Sequence, residues 1–89
     1  METTRYSKEE VVRRGKELYE RQIRSLVEEG NKGKMLVIDI ETGEYEIDVD
    51  ELAAIRRARA KRPGAVLYGM RIGYPTAHKI GGGWRASKP

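Results

Sequence analysis

Apolar and charged residues recur along the first third of the chain with helical spacing. At about 100° per residue, Val11, Val12, Gly15, Leu18, Tyr19, Gln22, Ile23 and Leu26 share one face, while Arg13, Glu17, Glu20, Arg21 and Arg24 share the other. Ser7-Lys8-Glu9-Glu10 has the form of a capping box, with Ser7 at the N-cap and Glu10 reaching back from the third helical position. The spacing therefore predicts a surface helix over residues 8 to about 29, stopped by Gly30, Asn31 and Gly33. Glu9/Arg13, Glu10/Arg14, Glu17/Arg21 and Glu20/Arg24 stand four apart in the favourable orientation, which accounts for the polar face. Gly15 falls mid-helix on the apolar face, where glycine costs about 1 kcal/mol against alanine, so another backbone is expected to pack closely there.

The pattern then changes period. Residues 34–40 form a β-rich apolar run and residues 44–47 alternate polar and apolar; Thr42-Gly43 between them predicts a hairpin turn. Asp48 or Asp50 can cap a second helix running to about residue 62, with a narrow apolar stripe of Leu52, Ile55 and Ala58 among arginines. Pro63-Gly64 ends it, residues 65–72 form a third strand, and Gly73-Tyr74-Pro75 breaks that strand. The expected fold class is thus α+β, in the order α-β-β-α-β. A right-handed crossover and a central, most apolar first strand give a three-stranded sheet of order 2-1-3 with the two helices on one face. The second face would carry Met35, Val37, Tyr45 and part of Leu67, Gly69 and Arg71, a surface suited to self-association or a partner. Residues 1–83 are expected to form a single domain, with 84–89 as a flexible tail.

Composition narrows the function classes. An 89-residue chain makes one domain with a thin core, burying about 60–65% of its unfolded surface. There is no cysteine, which excludes a disulfide framework, a thiolate nucleophile and a cysteine zinc site and fits the cytoplasm. The charged N-terminus lacks an apolar signal region and no apolar run approaches the roughly 18 residues of a membrane span, so neither export by that route nor membrane insertion is expected. The net charge of +4 is unevenly spread: residues 39–51 hold seven acids and no base, and residues 52–89 hold nine bases and no acid. The two halves can neutralise each other or face separate partners.

Candidate chemistry is sparse. Val37-Ile38-Asp39-Ile40-Glu41-Thr42-Gly43 resembles the first motif of the DEDD-type 3′–5′ exonucleases, where carboxylates at i and i+2 hold magnesium. That family needs further acidic motifs, and no acid follows Glu51, so the stretch reads as an acidic hairpin. His78 is the single histidine, with no serine or cysteine placed to form a dyad. Gly81-Gly82-Gly83 lacks the Lys-Ser/Thr of a phosphate loop. No catalytic residue, metal ligand or cofactor is expected, and the chain reads as non-enzymatic. Arg56, Arg57, Arg59, Lys61 and Arg62 form a basic run on the second helix that could track a phosphate backbone, with Tyr74 and Trp84 to stack on bases; the same run could instead balance the acidic hairpin.

Taken together, Arg14-Gly15-Lys16-Glu17-Leu18-Tyr19-Glu20, Asn31-Lys32-Gly33-Lys34, Ile38-Asp39-Ile40-Glu41-Thr42-Gly43-Glu44-Tyr45-Glu46-Ile47-Asp48, Arg62-Pro63-Gly64-Ala65 and Arg71-Ile72-Gly73-Tyr74-Pro75 resemble a family of small bacterial proteins, frequent in cyanobacteria, to which no activity is attached. The resemblance covers residues from about 6 to 83. It implies a cytoplasmic protein-interaction module, the antitoxin-like or regulatory half of a two-gene pair. The partner would be the product of an adjacent gene, in some cases a retroviral-type aspartic-protease-like protein, and a homo-oligomer is compatible with it. Under this reading residues 73–84 form the recognition element, with Tyr74, Pro75, His78, Lys79 and Trp84 as partner-binding residues. The alternative is nucleic-acid binding by the basic second helix and the C-terminal segment.

Overall fold

The capping box forms as expected. The Ser7 hydroxyl accepts a hydrogen bond from the Glu10 amide at 3.1 Å, and the Glu10 carboxylate accepts one from the Ser7 amide at 3.1 Å, opening α1 (Lys8–Leu18). In the computed structural model, which describes residues 6–74 and the backbone of 77–80, this helix continues through a π-helical turn (Tyr19–Ile23) into α2 (Arg24–Val27). The buried residues along it are Val11, Gly15, Tyr19, Ile23 and Val27, a strict four-residue repeat. In a regular helix of 3.6 residues per turn, four such steps would carry Val27 about 160° around from Val11. The wider π turn underwinds the helix and counters part of that drift. The consequence for the expected face is local. Val27 is buried and Leu26, placed in the core by regular periodicity, is 71% exposed.

The remaining elements are β1 (Met35–Asp39), β2 (Tyr45–Asp48), α3 (Glu51–Lys61), β3 (Leu67–Arg71) and β4 (Ala77–Ile80). The α+β class and the strand order 2-1-3 are as expected from the sequence, and all neighbouring strands are antiparallel. The sheet has one strand more than expected, with β4 pairing beyond β3 to give the order β2-β1-β3-β4. Ala77-His78-Lys79-Ile80 is too short and too mixed in polarity to give a periodic signal. It becomes a strand because the chain turns back at Gly73, whose φ of +87° suits glycine, and the Tyr74 amide bonds the Arg71 carbonyl at 3.1 Å.

The helices do not share a face. Leu36, Ile38 and Ile40 alternate with Val37 and Asp39, so they point to opposite sides of the sheet. The first helix covers the Leu36/Ile38/Ile40 side together with Tyr68, Met70 and Ile72. On the other side α3 packs Ala54 and Ala58 against Val37, Ala65 and Leu67. The expectation of two helices on one face is therefore corrected, and its physical reason is visible in β1. A central strand that is apolar at consecutive positions must be buried on both faces. The β2-α3-β3 crossover constrains only the side taken by α3. Nothing in it constrains the first helix, which enters β1 through the turn residues after Val27. The expected open face is accordingly closed at Val37, Leu67 and Gly69, and Tyr45, opposite Ile38, lies on the first helix's side.

Two details of packing also depart from the sequence reading. On α3 the stripe that meets the sheet is Ala54 and Ala58, with Ile55 beside it, while Leu52 is 56% exposed. Gly15 is matched not by a backbone but by the flat ring of Tyr68, which lies where a Cβ would stand. The predicted tail, 84–89, lies outside the described residues.

Candidate functional site

The acidic hairpin and the basic helix meet along α3. Arg57 donates to Glu46 at 2.8 Å, to Asp48 at 3.0 Å and to the Ile47 carbonyl at 2.9 Å, and Lys61 reaches the second oxygen of Glu46 at 2.6 Å. The Arg57 and Lys61 donors hold the Glu46 carboxyl below its ordinary value. Asp48 is lowered too, first by the Asp50 amide and then by Arg57. Of the five residues that could track nucleic acid, Arg57, Lys61 and Arg62 are thus engaged by the hairpin. Arg56 is exposed on the other side of α3, and Arg59 is half-buried there with a shielded Nε that has no acceptor among the described residues.

The exonuclease-like pair sits at the end of β1. Asp39 and Glu41 do fall on one side, as their spacing predicts, but the guanidinium between them belongs to Arg62. Arg62 Nε bonds Asp39 Oδ2 at 2.7 Å and Nη2 bonds Glu41 Oε1 at 2.5 Å. Asp39 Oδ1 accepts from the amides of Glu41 at 2.9 Å and Thr42 at 3.3 Å, closing the hairpin turn, and Tyr6 donates to Glu41 at 3.2 Å. The bonds to Asp39 and then Glu41 raise the Arg62 guanidinium further above its already high value. Chemically this is a buried carboxylate clamped to the end of α3. Its role is to tie the helix to the hairpin.

The candidate partner-binding residues are divided. Tyr74 is half-exposed on the turn after β3, with the Arg71 guanidinium 5.7 Å from its ring centroid. His78 and Lys79 lie in β4, opposite Gly69 and Tyr68 respectively, so the fold does bring them beside the strand that leads to Tyr74. Pro75 and Trp84 lie outside the described residues.

A feature not read from the sequence adjoins Tyr74. Between the π-helical turn and β3 lies a cleft of about 380 Å³. Its walls include Tyr19, Tyr68, Met70 and Tyr74, with charged residues at the helix side. Arg24 is held there between Glu20 at 2.9 Å and Glu28 at 3.0 Å. The Tyr68 phenol is pushed up to about 12, by burial first and the Glu20 charge second. Tyr19 is raised chiefly by burial and then by Glu28. Both phenols stay protonated at neutral pH and so remain donors. The sequence signal was present but ambiguous, since a tyrosine on the apolar face of a helix reads as core, and Tyr19 is core as well as cleft.

No family model, no curated protein and no solved structure matches this chain.

Proposed function

We propose that the chain is a non-enzymatic, cytoplasmic protein-interaction module, acting as the antitoxin-like or regulatory half of a bacterial two-gene pair. The observation that carries this reading is the Tyr74/Arg71 pair. A half-exposed tyrosine rests under an exposed arginine, on a turn fixed by a backbone hydrogen bond, beside a strand at one end of the described sheet. Tyrosine and arginine are the residue types that dominate interface energetics, and a strand at a sheet edge offers main-chain groups to an extended partner segment. The likeness to a family of paired bacterial proteins points the same way.

The nucleic-acid alternative draws less support, because three of its five residues already neutralise carboxylates of the same molecule. The test is affinity for the product of the adjacent gene. Tyr74→Ala should weaken it by about 2 kcal/mol or more, read by calorimetry, while Arg56→Ala leaves it unchanged. Unchanged affinity in Tyr74→Ala, or loss on Arg56→Ala with steep salt dependence, would overturn the assignment of this surface. Sedimentation of the protein alone tests self-association, for which this reading leaves room.

A further inference from the structure

The end of β3 gathers positive charge that no carboxylate of the described residues neutralises. Residues 31–34 are tied to it by backbone, with the Gly33 amide donating to the Ile72 carbonyl at 2.8 Å and the Ile72 amide to the Lys34 carbonyl at 2.8 Å. The alkyl chain of Lys32 lies against Gly73, in the space a side chain there would take. Arg71 and Tyr74 belong to the same turn, and the Arg71 guanidinium stands over the Tyr74 ring. Lys32, Lys34 and Arg71 are thereby collected around one exposed aromatic ring.

The cations elsewhere set the contrast. Arg24, Arg57, Lys61 and Arg62 each hold carboxylates of the chain itself. Among the described residues no carboxylate pairs with Lys32, Lys34 or Arg71, and the Lys34 amine donates to the neutral Asn31 amide oxygen at 3.1 Å. A guanidinium laid over a ring uses its flat face and keeps its N–H edge for a carboxylate. Tyr74 is 50% exposed, so its ring offers apolar surface within reach of a partner. The far wall of the adjoining cleft differs, because there Arg24 lies between Glu20 and Glu28. A long phosphate strand tracking this end would run against those two carboxylates, while a short acidic segment need meet only the turn.

We propose that this turn docks an acidic segment of a partner protein, with carboxylates meeting Arg71 and Lys32 and a neighbouring apolar side chain laid on the exposed Tyr74 ring. The inference rests on the interaction reading and supplies the chemistry that the partner must carry.

The experiment titrates the full chain with a capped peptide of glutamates on either side of a leucine, followed by amide chemical shifts. Its glutamine and lysine counterparts and a single-stranded oligothymidylate serve as comparisons. The acidic peptide should move the resonances of Lys32, Arg71, Gly73 and Tyr74 saturably, bind more tightly than all three comparisons, and weaken as salt is raised. Arg71→Gln and Lys32→Gln should each weaken it about twofold to fivefold, the worth of one exposed ion pair. Arg13→Gln, which removes the same charge from the outer face of α1, should leave it unchanged. The proposal is overturned by equal binding of the glutamine peptide, by charge variants of unchanged affinity, or by the absence of a saturable shift at these residues. Tighter binding of the oligothymidylate there would make the occupant a nucleic acid, and shifts with protein concentration alone would make it a second copy; either result also overturns the proposal. The adjacent gene product separates the two readings. If Tyr74→Ala abolishes its binding and the charge variants do not weaken it, the acidic segment is overturned and the interaction reading stands; if its binding ignores Tyr74 while the acidic peptide docks as expected, the reverse holds.

Discussion

The two faces of the sheet are closed by different means. Under the first helix, Val11, Tyr19, Ile23 and Val27 meet Leu36, Ile38, Tyr68 and Met70, and the layer is held by apolar bulk. Under α3 the helix contributes only Ala54 and Ala58 to the buried layer, and its long side chains reach sideways instead, as Arg57, Lys61 and Arg62 grip the hairpin carboxylates. A thin domain with few large residues thus spends them on one side. On the other, alanines let the helix come close, and charge fixes its position. The basic run and the acidic run, which look like two separate surfaces in the sequence, are the two halves of that second attachment.

Core substitutions should expose the contrast most strongly. Truncating Ile23 to alanine removes a fully packed side chain and should cost about 2–5 kcal/mol. On α3 the sensitive direction is reversed, because Ala58→Leu adds bulk where the helix rests on Val37 and should cost about 1–3 kcal/mol. Urea unfolding of both variants checks this; a tolerated Ala58→Leu would mean that α3 is not seated closely.

Acidification should act on the α3 side. Glu46 has a folded-state value held below its ordinary 4.5, so it contributes stability that is present above that value and lost as pH falls through the lower, folded one. Asp48 has the same sign. Thermal unfolding between neutral pH and the acid range should show a loss below about pH 4.5 that Glu46→Gln makes shallower. A similar slope in the variant would assign the loss to other carboxylates.

The smallest effect is also diagnostic. Leu26→Ala should change stability by less than about 0.5 kcal/mol, because the side chain is exposed. A loss of 2 kcal/mol or more would return the first helix to regular periodicity and remove the π turn.

What could be read in advance follows from which signals are local. Ser7 and Glu10, Thr42-Gly43, Asp50 and Pro63-Gly64 act through neighbouring backbone, and each marks the boundary expected of it. The strand order was legible because β1 is the most apolar strand. The layer of each helix was not, since that depends on how two separated segments share the two sides of β1. The clamp of Asp39 and Glu41 by Arg62 was hidden for the same reason, the partners being 23 and 21 residues apart. Leu26 was placed in the core and Val27 left off it because a four-residue apolar repeat was read with a 3.6-residue rule.

Gly15 has a consequence for how the first helix finds its place. The Tyr68 ring lies flat in the notch left by the missing side chain, and Tyr68 is among the largest fully buried residues of the protein. Sliding the helix by one turn would set Val11 or Tyr19 against that ring, and neither has room for it. The notch therefore works as an alignment key, giving the helix one seating along the sheet. The same seating brings the π turn, which begins at Tyr19, alongside the cleft.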